Sequence, residues 1–176
     1  MSATPDATLL RAAQAGDAGA QTDLGIFYFT HGEYAQAVPW LQGAAEQALP
    51  QACNLLALMH LNGIAVSQQP ALAVKYLEQA AAKHLKEACF TLANLLFNGI
   101  GVQTDESRAW ELLLRAAESQ HWPALRVLGV LHWLAGSQDE ALYCLRLSAR
   151  GGDPLSQSAL AAQLLQSDRV QDQSEG

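Results

Sequence analysis

The sequence predicts an all-α fold, an α-solenoid of stacked antiparallel helix pairs with about ten helices. The main observation is an internal repeat: Leu56–Val66 reads LALMHLNGIAV, and Leu92–Val102, 36 residues later, reads LANLLFNGIGV. Each copy has apolar residues at helical spacing and ends in a glycine-rich turn. A period of this length is typical of repeats in which a helix pair buries its apolar face only against neighbouring pairs.

A leucine followed by a small residue recurs five times and defines one kind of helix, which we call type 1. A further small residue precedes each of these pairs by about one helical turn. The pairs are Leu24-Gly25, Leu56-Ala57, Leu92-Ala93, Leu128-Gly129 and Leu160-Ala161, and the preceding small residues are Ala20, Ala52, Ala88, Ala124 and Ser156. Small residues at these points let two helices approach closely, and the leucine fills the space between them.

Small residues spaced seven apart define the second kind of helix, which we call type 2. A step of seven residues returns to nearly the same helix face, so these residues form one packing stripe. The stripe consists of Ala37 and Ala44, Ala73 and Ala80, Ala109 and Ala116, and Ala141 and Ser148. Ala12 and Ala13 fit the same register, which predicts a leading type-2 helix that caps the stack.

Helix boundaries follow from this register and from prolines, which suit the first turn because their φ is already helical. The predicted helices cover residues 5–15, 19–30, 33–47, 50–62, 70–83, 86–98, 105–119, 123–134, 138–150 and 154–166. Asp105 and Asp153 are predicted N-caps, and Pro39, inside the third helix, predicts a kink or a late start. We expect one solenoid domain over residues 1–167, with about four repeats and a half-repeat at each end, and a disordered polar tail over 168–176.

Composition excludes several classes of protein. A net charge of -7 without any basic cluster argues against nucleic-acid binding. Because no apolar run is long enough for a span and the sequence starts without a secretory signal, we expect no membrane insertion and a cytoplasmic location. Cys53 and Cys89 share a repeat position, which would separate them by ~8 to 10 Å on neighbouring helices. We therefore expect them, and Cys144, to be thiols rather than disulfides.

The repeats resemble the Sel1-like repeat family, a relative of the tetratricopeptide repeats. The resemblance covers nearly all of residues 5–166 and is carried by the leucine pairs, the alanine stripes and the turns Gly63-Ile64-Ala65-Val66 and Gly99-Ile100-Gly101-Val102. Departures include Ala48, His84 and Gln120, which stand where the family usually has a closing glycine. The resemblance implies an α-solenoid that serves as a protein-interaction scaffold.

The sequence offers little for catalysis. His60 and His132 share a repeat position but lie two repeats apart, too far for one metal ion, so a packing role with a ring hydrogen bond is predicted. No zinc-protease, nucleophile-elbow or phosphate-binding motif occurs. Sel1-like proteins rich in paired cysteines have been linked to penicillin binding and hydrolysis, and such pairs are absent here. We expect no enzyme, no metal and no cofactor, with hydrolase or penicillin-binding activity as an alternative.

The concave face of the stack is the candidate binding site. In tetratricopeptide-type stacks the first helix of each repeat lines this face, and the register places Thr22, Ile26 and Phe29 on it. The predicted partner-binding groove continues with Asn54, Leu58, Leu61, Phe90, Asn94, Phe97, Arg126, Val130 and Trp133. Apolar and aromatic side chains alternate there with amides and one cation, a mixture that suits a peptide or helix of a partner protein. Arg126 predicts an acidic group on that partner.

Two other uses of these surfaces remain open at the level of sequence. Neighbouring helices, or the last helix, could cover the rings of the groove. The last helix also exposes a face that no type-2 helix follows, so two chains could stack end to end as a homodimer.

Overall fold

The computed structural model of the chain describes residues 4–162, which form ten helices and no strand. The helices are α1 (Ala7–Gln14), α2 (Ala18–Thr30), α3 (Tyr34–Glu46), α4 (Pro50–Asn62), α5 (Pro70–Ala82), α6 (Lys86–Asn98), α7 (Glu106–Glu118), α8 (Trp122–Leu134), α9 (Gln138–Arg150) and α10 (154–162). The all-α fold class is confirmed. The predicted end of the last helix and the predicted tail lie outside the described residues.

The chain divides into two compact units, Met1–Leu112 and Leu113–Gly176. In the first unit the type-1 helices α2 and α4 pack most extensively against the type-2 helices that follow them, α3 and α5. The type-2 helices α1, α3 and α5 also contact the next type-1 helix along the chain. In the second unit α8 packs against α9 in the same way. The single domain over residues 1–167 stays a prediction.

The two predicted N-caps, Asp105 and Asp153, are confirmed. The carboxylate of Asp105 accepts a hydrogen bond from the Arg108 backbone N–H at 3.0 Å, and that of Asp153 accepts one from Ser156 N–H at 2.8 Å. Pro39 lies inside α3, which already begins at Tyr34. The predicted late start of this helix is therefore wrong, and the kink stays a prediction.

The core consists of the two predicted stripes. All eight small residues of the type-2 stripe are fully buried, as are Leu24, Leu56 and Leu92 of type 1. A Cβ added at Gly25 would lie 2.5 Å from Leu41 Cδ2, and one added at Gly129 would lie 2.8 Å from Leu145 Cγ. The same contact between a type-2 leucine and a small type-1 residue therefore recurs in both units.

The turns that close the type-2 helices keep one geometry, whether or not they contain glycine. Ala48, His84 and Gln120 have φ between 56 and 58°, and Gly16 at the equivalent point has φ 90°. In each turn the next residue donates its N–H to a carbonyl five residues earlier, as Leu49 does to Ala44 at 3.2 Å. The departures from the family pattern thus preserve the turn, although non-glycine residues adopt a left-handed conformation at a steric cost.

Substitutions in the core test the register. Leu92→Ala should lower the free energy of unfolding by about 2 to 5 kcal/mol, because it removes buried methyl groups from between helices. Ala88→Leu should lower it by about 1 to 3 kcal/mol, because the added atoms overpack a close crossing. Urea melts followed by circular dichroism measure both effects. Leu114→Ala, at a leucine that is 39% exposed, is the control and should cost less; equal midpoints for all variants and the parent would contradict the register.

The left-handed turns give a second prediction. Ala48→Gly should raise the free energy of unfolding by about 0.5 to 1 kcal/mol, because glycine adopts a positive φ without steric strain. The matched reverse change is Gly16→Ala, where a Cβ would have open space around it, so only the backbone conformation opposes it. It should lower the free energy of unfolding by about 1 kcal/mol. Urea melts should give shifts of opposite sign, and shifts of the same sign would refute this account of the turns.

Candidate functional site

Of the nine residues from Asn54 to Trp133 predicted to bind a partner, six lie in the first unit, on the type-1 helices α4 and α6. Asn54, Leu58 and Leu61 belong to α4, and Phe90, Asn94 and Phe97 belong to α6. All six are partly exposed, so none is fully buried in the core. They give these two helices an accessible mixture of apolar and amide side chains.

Thr22 differs from these residues in its accessibility. It is buried, and its hydroxyl donates a hydrogen bond to the Ala18 carbonyl oxygen at 2.8 Å. Thr22 is therefore not available to a ligand in this structure, and its place on the concave face stays a prediction.

Asn54 has an amide oxygen with unused hydrogen-bonding capacity. Its Oδ1 is shielded from solvent and accepts no hydrogen bond within residues 4–162. A shielded acceptor without a donor is costly, so a rotation of the amide that brings this oxygen to water or to a ligand N–H is favourable. This is compatible with the place of Asn54 in the predicted peptide-binding groove.

The other three predicted residues meet in the second unit, around a cavity of about 400 Å³ that we call the Trp133 pocket. It is lined by Arg126, Val130, Trp133 and Leu134 of α8, by Leu145 of α9 and by Leu155, Ala159 and Ala162 of α10. A pocket of this size and lining is comparable to known ligand sites.

The walls of the Trp133 pocket are apolar and accessible. Trp133 is 43% exposed, Val130 47%, Leu155 61% and Leu134 77%. Large apolar side chains with this much exposure, gathered on one face, are a common feature of interaction sites. The arrangement can therefore gain free energy by burying apolar groups of a ligand.

Sequence reasoning missed the contribution of α10 to this pocket. Leu155, Ala159 and Ala162 recur at steps of four and three residues, which places them on one side of the helix. That spacing was a usable signal, since the type-1 register already extended to Leu160-Ala161 and only the concave-face positions of this last helix were left unassigned.

Arg126, the only charged residue that lines the pocket, already has a counter-ion in its own chain. Its Nε lies 3.3 Å from Asp153 Oδ2, and both side chains are largely shielded from solvent. The same carboxylate accepts hydrogen bonds from the N–H and hydroxyl of Ser156 at 2.8 and 2.7 Å. Burial raises the pKa of Asp153, but these hydrogen bonds and the Arg126 charge outweigh it, so the pKa lies below its ordinary value of 3.8. The pocket is therefore close to electrically neutral.

A second cavity in the same unit, of about 390 Å³, has a different character. Glu118, Gln120 and Arg150 contribute polar groups to its lining, next to Trp122. The Trp122 ring packs directly on Gly151, where no Cβ would fit, so this ring is held by the fold. We therefore regard the Trp133 pocket as the better candidate for ligand binding.

The buried cysteines and His60 have structural surroundings. Burial raises the pKa of the Cys53 and Cys144 thiols, so they remain protonated and are poor nucleophiles at neutral pH. His60 is buried, with Nδ1 3.2 Å from the Ser67 carbonyl oxygen and its ring stacked 6.0 Å from that of Tyr76. The predicted packing role of His60 with a ring hydrogen bond is confirmed.

Two further classes of site are absent from the described part of the chain. Within residues 4–162, no three His, Cys, Asp or Glu side chains are grouped so that they could hold a metal ion. Over the same residues, no helix has the length and apolarity that a membrane crossing requires.

Comparison with known proteins places this chain among repeat proteins. The family model described as "Sel1 repeat" matches residues 50–84, 86–121 and 128–153, more than half of the chain. No curated protein matches this chain.

Solved structures are similar over most of the chain. One is a protective antigen of uropathogenic Escherichia coli strains with an SLR fold, at 31% identity and a TM-score of 0.78, covering 88% of this chain and 35% of that one. A Sel1 repeat protein from Oxalobacter formigenes has 26% identity and a TM-score of 0.79, covering 88% of this chain and 66% of that one. A further Sel1 repeat protein, from Klebsiella pneumoniae, has 22% identity and a TM-score of 0.58, and the match covers 90% of this chain and 99% of that one. The chain thus spans about a third of the length of the Escherichia coli antigen and about two thirds of the length of the Oxalobacter formigenes protein.

The ion pair at the pocket gives a pH prediction. Asp153→Ala should lower the free energy of unfolding by about 1 kcal/mol at pH 7, because it removes an N-cap. Since the folded pKa of Asp153 lies below 3.8, the stabilisation is present above pH 3.8 and is lost as pH falls through the folded pKa. The deficit of the variant should therefore shrink in urea melts below pH 3.8. Asp153→Asn, whose amide oxygen can still cap the helix, is the control and should lose less at pH 7; a deficit of Asp153→Ala that does not change with pH would contradict this.

Proposed function

This chain belongs to the Sel1 repeat family, whose members are commonly protein-interaction scaffolds, and on that premise we propose that it is a non-catalytic adaptor. Its ligand is a peptide or a helix of a partner protein. The observation that carries the proposal is the Trp133 pocket, where an indole and three aliphatic side chains remain accessible at one place.

The chemistry of the pocket selects an apolar ligand. Seven of its eight lining residues are apolar, and the eighth, Arg126, is neutralised by Asp153. An incoming carboxylate would have to compete with Asp153 for the guanidinium, so the acidic partner group predicted from sequence adds little attraction. Large aliphatic or aromatic side chains, presented on one face of a peptide or helix, gain the most from this site.

The proposal keeps all nine residues predicted from the sequence, as two separate candidate surfaces, one in each unit. Arg126, Val130 and Trp133 contribute the pocket in the second unit. In the first unit, the residues of α4 and α6 offer rings and aliphatic groups as anchors, and Asn54 and Asn94 offer amides that can bond a ligand backbone.

A catalytic role is disfavoured by the surroundings of the reactive groups. A hydrolase needs an activated nucleophile beside a base, but burial keeps the Cys53 and Cys144 thiols protonated. The only charged residue at the Trp133 pocket is held in an ion pair. We therefore propose binding without turnover. We also propose a cytoplasmic location, which the buried thiols favour because reducing compartments maintain them.

Replacement of the exposed indole tests the function. Peptides selected from a displayed library against the parent chain should bind Trp133→Ala about thirtyfold more weakly, because loss of a ring anchor in a pocket commonly costs ~2 kcal/mol. Affinities from fluorescence anisotropy of labelled peptides give the ratio, and circular dichroism establishes that the variant is folded.

The matched control is Tyr143→Ala. Tyr143 is 64% exposed and lies on α9 in the same unit, but it does not line the pocket. Its replacement should leave the affinities unchanged. Selected peptides that bind folded Trp133→Ala as tightly as the parent would overturn the assignment of this pocket as the binding site.

A further inference from the structure

A polar cleft lies between two successive type-2 helices of the first unit, α3 and α5. Its cavity measures about 370 Å³ and is lined by Gln42, Ala45, Glu46, Tyr76 and Gln79. We call it the Glu46 cleft. Each of the two helices contacts a type-1 helix before it and another after it, α2 and α4 for α3, and α4 and α6 for α5. The cleft is therefore an interior feature of the repeat series.

Glu46 brings an unmatched negative charge to this cleft. Within residues 4–162 it is the only charged residue in the lining, and no Lys, Arg or His side chain forms an ion pair with it. Its charge also acts on a neighbouring group of the lining. Burial, and then the negative charges that Cys53 and Glu46 carry at high pH, raise the pKa of the Tyr76 phenol. The carboxylate thus faces the same space as the phenol.

The equivalent cleft of the second unit contains a cation of its own. One repeat position, nine residues after the first alanine of each type-2 stripe, is occupied in turn by Glu46, Ala82, Glu118 and Arg150. Glu118 and Arg150, on the successive helices α7 and α9, line one cavity together. On α3 and α5 the same position pairs an acid with an alanine. The described chain therefore supplies a guanidinium to the second cleft and none to the first.

The polar groups of the Glu46 cleft suit a guanidinium better than an ammonium. The carboxylate of Glu46, the amide oxygen of Gln42 and the hydroxyl oxygen of Tyr76 are all acceptors. Gln79 is fixed on the wall, since its Oε1 accepts a hydrogen bond from the Cys53 thiol at 3.4 Å. A guanidinium has five N–H donors in one plane and can bond a carboxylate through two of them, whereas an ammonium is a compact point charge.

We propose that the Glu46 cleft binds an arginine side chain of a partner protein. The guanidinium pairs with the Glu46 carboxylate and supplies the charge that Arg150 supplies beside Glu118. Long-range attraction favours such a partner, because residues 1–74 carry five carboxylate side chains and only one Lys or Arg, Arg11. The contact goes beyond the proposed peptide binding, since it belongs to the other unit and depends on charge rather than on apolar burial.

The experiment titrates the capped tripeptide acetyl-Ala-Arg-Ala amide into the ¹⁵N-labelled full chain. Saturable NMR shifts of the Gln79 side-chain amide and the Tyr76 backbone amide are expected. The same peptide with citrulline, which keeps the shape of arginine without its charge, should bind about tenfold more weakly. Glu46→Gln should weaken binding of the arginine peptide by about the same factor. Glu118→Gln, at the equivalent position of the second unit, is the matched control and should leave these shifts unchanged.

A second pair of variants tests the cleft without altering Glu46. Ala82→Arg places a guanidinium at the position that Arg150 has in the second unit. Ala82 is exposed at the C-terminal end of α5, where a cation is favourable, so the fold should tolerate the change. Binding of the arginine peptide should weaken severalfold, because the tethered guanidinium competes for the same carboxylate. Ala82→Gln adds length without charge and should bind like the parent. Circular dichroism establishes that each variant is folded.

Four results would overturn the proposal. They are an arginine peptide that gives no saturable shift at Gln79 and Tyr76 up to its solubility limit, a citrulline or lysine peptide that binds as tightly, Glu46→Gln that binds like the parent, and Ala82→Arg that does so. Trp133→Ala should bind the arginine peptide like the parent while it loses affinity for the selected apolar peptides. Failure of this proposal is thereby distinguishable from failure of the proposed function.

Discussion

The fold depends on one contact, in which a leucine of a type-2 helix packs against a small residue of the preceding type-1 helix. Gly25 and Gly129 lie so close to Leu41 and Leu145 that an added Cβ would overlap them. A close crossing of this kind fixes the rotation of each type-1 helix about its axis. The side chains on its opposite face, including Trp133, are consequently held outward at a defined position, so the packing determines where the proposed binding residues lie.

Much of the fold could be predicted because this contact leaves a local and repeated pattern. Leu92 and Ala93, for example, are identified by their copies 36 residues upstream, without any knowledge of their partners in space. The left-handed turns were harder to predict, since Ala48, His84 and Gln120 stand where a glycine would normally identify such a turn. Their geometry is imposed by the helices on either side, which a residue-by-residue propensity cannot reveal.

The candidate site was predictable only in part, for a related reason. Val130 and Trp133 follow from the register, but the ion pair of Arg126 with Asp153 joins residues that are distant in sequence and belong to different elements. Asp153 was identified as an N-cap, and its second role could be seen only once α10 was placed beside α8. This pair changes the expected ligand from an acidic one to an apolar one.

The pocket depends on how α10 is held, because this helix supplies one of its apolar walls. The Asp153 carboxylate caps α10 by accepting the Ser156 N–H at 2.8 Å, and it pairs with Arg126 of α8 at 3.3 Å. A further hydrogen bond, from Gln157 Nε2 to the Ala149 carbonyl oxygen at 3.0 Å, fixes α10 on α9. The ion pair that neutralises the pocket therefore also holds one of its walls in place, so the polar and the apolar properties of the site depend on the same residues.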